Sequence, residues 1–159
     1  MMRLFAEEIK RQLSDLPKPP STIKIDIGLI KQARFLDKAT TLHKAYPSLL
    51  GEIIFLTGFD TLIRILDPKY YGGTLHAMAP FFDSGRNRIK CSYRPRNAGL
   101  PVSAAEEAWW RREQDEYLKR IREGEREVGE GCMSRWAERI EFVVSLSRFP
   151  SLRVRISIF

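Results

Sequence analysis

The junction between an apolar run and a Gly-x-Asp element constrains the fold of this 159-residue chain more than any other feature. The segment Ile53–Thr57 is short, apolar and rich in β-branched residues, which predicts a buried β-strand. Gly58 and Asp60 follow it, and apolar residues then recur at helical spacing over Thr61–Leu66, with Asp60 predicted as the N-cap. The sequence therefore predicts a strand that leads directly into a helix, which is the repeating unit of parallel α/β folds.

The same alternation of strands and helices extends along the rest of the chain. Helical periodicity is found in residues 1–16, in the segment that ends before Pro47, and in Ala104–Arg126. Further strands are predicted at Thr22–Ile27, Arg88–Tyr93 and Ile140–Val144. Because the length is that of one ordinary domain, we expect a single α/β domain over residues 1–159, with a parallel sheet flanked by helices.

The composition argues against several classes of protein. Cys91 and Cys132 form neither a CxxC pair nor a Cys/His cluster, so a zinc site and a disulfide framework are not expected. No apolar run approaches the roughly 20 residues of a membrane span, and no signal peptide is recognised. We therefore expect a cytoplasmic or nuclear protein that does not associate with membranes. The net charge of +7 is compatible with phosphate ligands of several kinds and does not choose among them.

Gly58 is predicted to lie where a parallel sheet binds ligands. Such ligands bind at the carboxyl ends of the strands, and a residue without a side chain lets them approach the backbone. Backbone N–H groups at a helix start also favour phosphate. Arg94, at the predicted carboxyl end of the third strand, is a second candidate phosphate contact, although an exposed loop arginine fits equally well. The simpler alternative for Gly58 and Asp60 is a glycine turn with a capping aspartate.

A resemblance favours the functional interpretation. The segments "MMRLFAEEI", "IDIGLIKQARFLDKA", "IIFLTGFDTLIRILDPKYY", "APFF" and "WAERIEFV" occur in that order. Together they resemble the fungal nicotinamide-nucleotide adenylyltransferase-like proteins of the cytidylyltransferase-like nucleotidyltransferase superfamily. The resemblance implies a Rossmann-like fold that transfers AMP from ATP to nicotinamide mononucleotide, giving NAD and pyrophosphate, with Mg²⁺ as cofactor. It implies that Gly58 and Asp60 contact the dinucleotide, and that the charged helix at about 104–126 is an insertion.

The sequence departs from that family at two phosphate-binding elements. Neither His43 nor His76 lies in the family's H-x-G-H or T-x-x-H element, and we expect the amino-terminal βα unit that carries it to be missing. His43 is predicted to pack on a helix face, and His76 is predicted to lie in a mobile loop. Near the other end, "FPSLRVR" can be aligned with the family's I-S-S-T-x-x-R element, which would make Ser151 and Arg155 triphosphate contacts. An ordinary basic tail is the alternative.

Three functions remain compatible with the sequence. The first is the adenylyltransferase, and the second is a nucleotide-binding remnant without catalysis. The third is a basic nucleic-acid-binding module, supported by the charge and by Trp109 and Trp110 but by no recognised motif. Because Trp109, Tyr117 and Ile121 fall on one helical stripe, we expect Trp109 to pack against the protein body, which does not favour nucleic acid.

Overall fold

The computed structural model describes residues 2–15, 25–47, 51–92, 103–143 and 156–158. They belong to two compact units, one formed by Met1–Lys31 with Ser147–Phe159 and the other by Gln32–Leu146. The single domain expected over residues 1–159 stays a prediction. In the described part of the chain, no helix combines the length and the apolarity needed to cross a bilayer.

The first unit contains a helix and a pair of strands. Helix α1 spans Met2–Ser14, as its periodicity predicts. It contacts strand β1, Ile25–Ile27, which pairs in parallel with a strand at Ile156–Ile158, called β5 below. The sequence predicts the strand at β1 but not its partner. Arg94, Ser151 and Arg155, the predicted phosphate contacts at strand ends and in the tail, lie outside the described residues.

The second unit is built on a three-stranded parallel sheet in the order β2-β3-β4. The strands are β2 at Ile53–Gly58, β3 at Asn87–Ser92 and β4 at Ile140–Val143. Its helices are α2 at Phe35–Ala45, α3 at Phe59–Ile65, α4 at Ala79–Asp83 and α5 at Ala104–Glu123, with 3₁₀ turns at Pro68–Tyr71, Leu75–Met78 and Ser134–Arg139. The predicted parallel α/β architecture is confirmed for this unit.

One face of this sheet carries the core of the unit. The side chains of Ile89 and Cys91 on β3 are fully buried, and Ile140 on β4 lies beside Ile89 in the parallel register. On the same face, Phe55 of β2 contacts Phe35 of α2 at 5.6 Å between ring centroids. Helices therefore cover this face with apolar side chains, which is the arrangement that a parallel sheet requires.

The opposite face of the sheet is more polar. Lys90 on β3 forms an ion pair with Glu141 on β4 at 3.1 Å, and Leu56 on β2 is 48% exposed. The apolar sequence of β2 suggests a strand covered on both faces, and this interpretation is wrong at Leu56. Since β2 has a hydrogen-bonded neighbour on one side only within the three-stranded sheet, it is less covered than an interior strand.

Helix α5 begins and ends where local sequence signals require. Ser103 and Glu106 form a capping box, in which each side chain accepts from the other residue's backbone N–H. Gly124 ends the helix in the left-handed conformation at φ 67°. The predicted carboxyl boundary at Arg126 is three residues too long, because a glycine at this φ does not continue an α-helix.

The buried stripe of α5 differs from the predicted one. Ile121 is fully buried and Tyr117 is half-buried, as expected, but Trp109 is 47% exposed and contacts the ring of Trp110 instead of the core. Gln114, which is 1% exposed, occupies the stripe one turn before Leu118. The prediction that Trp109 packs against the body is therefore wrong, since the buried face of this helix is rotated away from it.

Candidate functional site

The carboxyl ends of three strands lie side by side in the second unit. Gly58, the last residue of β2, is the parallel partner of Ser92, the last residue of β3, and Ser92 is the partner of Val143, the last residue of β4. We call this row of strand ends the carboxyl edge. The prediction that Gly58 lies at the carboxyl end of a parallel strand is confirmed, and ligands of open parallel sheets bind at such an edge.

Gly58 occupies a position at which the fold does not need a glycine. Its backbone is extended, with φ −90° and ψ 166°, a conformation that any residue adopts. A Cβ atom built on it would meet no atom of the described residues within 4 Å. Neither backbone strain nor packing therefore explains the glycine, whereas close approach of a ligand to the main chain would.

Gly58, not Asp60, is the N-cap of α3. The helix begins at Phe59, which places Asp60 in its first turn, so the predicted cap and the predicted start at Thr61 are wrong. The strand and the helix share no intervening loop, and the cap position is therefore taken by the strand's last residue. Helix α3 has only seven residues, so its dipole makes a small contribution to anion binding.

The Asp60 side chain is exposed at the carboxyl edge. It makes no hydrogen bond or ion pair with residues in the described part of the chain, and its charge lies close enough to raise the pKa of Cys91. A carboxylate in the first turn of a helix stabilises it by about 0.3–1 kcal/mol. It is also a strong acceptor for hydroxyl and amide donors of a ligand.

Three small polar side chains accompany Gly58 at the edge. The Ser92 hydroxyl donates to the carbonyl of Thr57 at 3.4 Å, and the Thr57 hydroxyl oxygen is buried without a hydrogen-bond partner among the described residues. Burial raises the pKa of the Cys91 thiol to about 12; the nearby Thr57 side chain acts in the opposite direction, and the Asp60 carboxylate adds a smaller upward contribution. Cys91 is therefore a neutral thiol at physiological pH and is not suited to be a nucleophile.

An aromatic cluster lies directly behind the Gly58–Asp60 turn. The ring of Phe59 meets Tyr117 of α5 edge-on, at 5.5 Å between centroids and an interplanar angle of 87°. It also contacts Phe142 of β4 at 6.0 Å. Burial raises the pKa of the Tyr117 hydroxyl. These contacts join residues far apart in the chain, and the sequence gives no signal for them beyond the aromatic residues themselves.

The two histidines have separate structural roles. His43 donates through Nε2 to Oδ1 of Asn87 at 3.0 Å, and Asn87 is the first residue of β3. His43 therefore lies at the amino end of the sheet, opposite the carboxyl edge, and its predicted packing is confirmed. The predicted loop position of His76 is wrong, because His76 belongs to the 3₁₀ turn Leu75–Met78 and packs against Gly131.

Several arginines pair with carboxylates within the chain instead of forming an open basic patch. Glu52 accepts from Arg88 at 2.9 Å and from Arg139 at 2.7 Å, which links the amino ends of the three strands. On α5, Arg111 pairs with Glu107 at 2.6 Å. These pairs account for part of the positive charge without a ligand.

No cluster of metal ligands is found among the described residues. Specifically, no group of three or more His, Cys, Asp or Glu side chains in those segments is arranged to hold an ion. At the carboxyl edge, Asp60 offers one exposed carboxylate. Mg²⁺ that arrives with a nucleotide needs only one or two carboxylates, or none, since phosphate oxygens and water complete its shell.

A comparison with curated proteins finds a relative in Schizosaccharomyces pombe. That protein is described as "Putative nicotinamide mononucleotide adenylyltransferase", and it is 30% identical to this chain over 120 residues. The match covers 74% of this chain but only 41% of the relative. No protein-family model matches the chain, and no solved structure matches it significantly. The comparison thus supports a similarity at the level of family between this chain and that protein.

Proposed function

We propose that this chain is nucleotidyltransferase-like and binds a nucleotide at the carboxyl edge, next to Gly58. Two independent findings meet there. The relative carries the name of an enzyme of nucleotide chemistry, and neither backbone strain nor packing among the described residues requires a glycine at position 58, where the N-cap preference is a small effect. The observation that carries the proposal is the space that the described residues leave in front of the Gly58 backbone at the end of a parallel strand.

The reaction proposed is transfer of AMP from ATP to nicotinamide mononucleotide. A phosphate oxygen of the mononucleotide attacks the α-phosphorus of ATP, a new P–O–P bond forms, and the bond to the β-phosphate breaks to release pyrophosphate. The products are NAD and pyrophosphate. Such a transfer depends on positioning and on neutralising charge rather than on a side-chain nucleophile, which agrees with the protonated state of Cys91 at the edge. Mg²⁺ would be carried by the phosphates and would supply part of that neutralisation.

The residues at the edge have different roles in this proposal. Gly58 has no side chain and therefore leaves room for the ligand to approach the backbone. The Asp60 carboxylate repels phosphate and accepts from hydroxyl or amide groups, so it suits the ribose or base of the nucleotide. Arg94, Ser151 and Arg155 stay proposed phosphate contacts, on the basis of the sequence and the family resemblance. The Rossmann-like character of the sheet and the reading of α5 as an insertion belong to the same proposal.

Binding without catalysis is the second candidate, and one observation favours it. The side chain of His43 is engaged with Asn87 at the amino end of the sheet, so it cannot serve the phosphates at the carboxyl edge. In this alternative the chain retains the nucleotide site and lacks the cationic help that the transfer needs. The exposed ring of Trp109 beside Trp110 is the observation that bears on the nucleic-acid-binding module, and one exposed ring without a row of further stacking positions among the described residues carries less weight than the contact of His43.

Calorimetric titration and a product assay test the proposal. ATP, nicotinamide mononucleotide and NAD are titrated separately in the presence of Mg²⁺, and NAD formation is then measured with both substrates. NAD formation supports the transferase, and binding without product supports the second candidate. If none of the three nucleotides binds, the assignment of the carboxyl edge is refuted.

Asp60→Asn and Asp60→Ala locate the binding. Both variants should bind NAD at least about tenfold more weakly, a loss of about 1.4 kcal/mol. Asp37→Ala is the matched control, because Asp37 lies in the first turn of α2 and pairs with Arg34 at 2.7 Å. It removes a carboxylate from a helix start without touching the carboxyl edge, and it should leave NAD binding unchanged. Equal binding by the Asp60 variants and the parent would remove Asp60 from the site.

A further inference from the structure

The contact between Phe59 and helix α5 links the candidate site to a helix on which no site residue was predicted. Phe59 lies between Gly58 and Asp60 and is the first residue of α3. Its ring contacts two aromatic rings of the same unit. The centroid of Tyr117 lies 5.5 Å away at an interplanar angle of 87°, and the centroid of Phe142 lies 6.0 Å away. The turn that carries the candidate ligand contacts is therefore in contact with α5 and β4 through the ring of Phe59.

The geometry gives Tyr117 a specific mechanical role. An edge-to-face pair has a preferred direction as well as a preferred distance, so the ring of Tyr117 restrains the rotation of Phe59. Phe59 is joined through the main chain to both Gly58 and Asp60, and α3 is too short, at seven residues, to fix its own start rigidly. Gly58 is held by its pairing with Ser92 in the sheet, and beyond it the turn depends on tertiary contacts of Phe59, among which are the ring contacts with Tyr117 and Phe142.

We propose that Tyr117 is a positioning residue for the nucleotide site, acting through Phe59 on the Gly58–Asp60 turn. This inference rests on the proposed function for the identity of the ligand. The restraint of the turn by the Tyr117 ring does not depend on that function. Helix α5 then supports the site through the contact of Tyr117 with the turn, in addition to being the charged insertion. The ring is the group that acts, and the hydroxyl is dispensable.

Three α5 variants separate this role from general stability. Tyr117→Leu removes the ring, and Tyr117→Phe retains it. Leu118→Ala is the matched control, because Leu118 is buried in the core on the adjacent position of the same helix and makes no ring contact with Phe59. Each variant is measured for thermal stability, for NAD affinity, and for the ¹⁵N backbone order parameters of Gly58 and Asp60.

Tyr117→Leu should lower both order parameters from about 0.85 to below about 0.7, as a rigid turn becomes mobile. It should also weaken NAD binding by about tenfold or more. Tyr117→Phe should match the parent in both measurements. Leu118→Ala should lower the melting temperature while leaving the order parameters of the turn and the NAD affinity within twofold of the parent.

The outcomes distinguish this inference from the proposed function. If the parent and all variants fail to bind any nucleotide, the proposed function is refuted, and the order parameters alone decide the positioning role. If Tyr117→Leu leaves the turn as rigid as in the parent, the positioning role is overturned whatever the affinity. It is also overturned if Leu118→Ala loosens the turn or weakens binding as much as Tyr117→Leu does.

Discussion

Replacing Gly58 by alanine separates a structural reason for this glycine from a functional one. The backbone at Gly58 is extended, at φ −90° and ψ 166°, so alanine introduces no strain. In the part of the chain that the structure describes, the added methyl group meets no atom within 4 Å. The folded state therefore accepts the substitution, and the effect on stability comes from terms that do not involve steric overlap.

Two such terms oppose each other in the Gly58→Ala variant. Removing a glycine reduces the conformational entropy of the unfolded chain and stabilises the fold by about 0.4–1 kcal/mol. Alanine is a poorer N-cap than glycine, which costs on the order of 0.5 kcal/mol. The free energy of unfolding should thus stay within about 1 kcal/mol of the parent value, equivalent to a few degrees in melting temperature.

Ligand binding should respond very differently. If a nucleotide approaches the main chain at Gly58, a methyl group occupies that space, and we expect the affinity for NAD to fall at least about tenfold, or 1.4 kcal/mol. Thermal melting and calorimetric titration of the same samples measure the two effects. The combination of a near-normal melting temperature and a large loss of affinity is the expected signature of a ligand-facing glycine.

Gly51→Ala is the matched control for this experiment. Gly51 precedes the amino end of the same strand, and a Cβ there also meets no atom within 4 Å. It should change neither stability nor binding appreciably. The reasoning is refuted if Gly58→Ala binds NAD as tightly as the parent does, or if it unfolds the protein, since the glycine would then be neutral or structural.

Three further predictions concern stability and reactivity. The indole N–H of the buried Trp136 donates to Asp83 at 3.1 Å. Asp83→Ala removes this acceptor and should lower the free energy of unfolding by about 1–3 kcal/mol, as measured by urea denaturation. Asp83→Asn retains an acceptor oxygen and should cost less. Hydrogen bonds from Arg135 lower the pKa of Asp83, so its contribution is present above about pH 4 and lost as the pH falls further, and Asp83→Asn should flatten this acid limb. Gly129→Ala should lower the free energy of unfolding by about 2–4 kcal/mol, because φ of Gly129 is 151° and the new Cβ would lie 2.6 Å from Cγ of Pro68. A loss under about 0.5 kcal/mol in urea denaturation would contradict this. Cys91 should resist alkylation in the native protein near pH 8 and should react in urea, as mass spectrometry can show. The free energy of unfolding should also fall above about pH 9, because the thiol ionises in the unfolded chain before it ionises in the folded protein.

The sequence by itself determined the elements whose signals are local. The apolar run at Ile53 and the helical periodicity of residues 1–16 and of Ala104–Arg126 each specify the backbone over a local segment, and the structure has a strand or a helix in each. Gly58 was also placed correctly at a strand's carboxyl end, because the continuous apolar run ends there and apolar residues then recur at helical spacing.

Tertiary structure decided everything that depends on partners distant in the chain. The strand Ile156–Ile158 is too short to be recognised alone and is defined by its pairing with Ile25–Ile27. The preference of aspartate for N-caps favoured Asp60, but the cap is Gly58, since the strand runs to that residue without a loop. Which face of α5 is buried, and that Tyr117 meets Phe59, follow from how the helix packs on the sheet. Local propensity fixes where the backbone bends, whereas burial and ring contacts are properties of the packed unit and have no counterpart in any short segment.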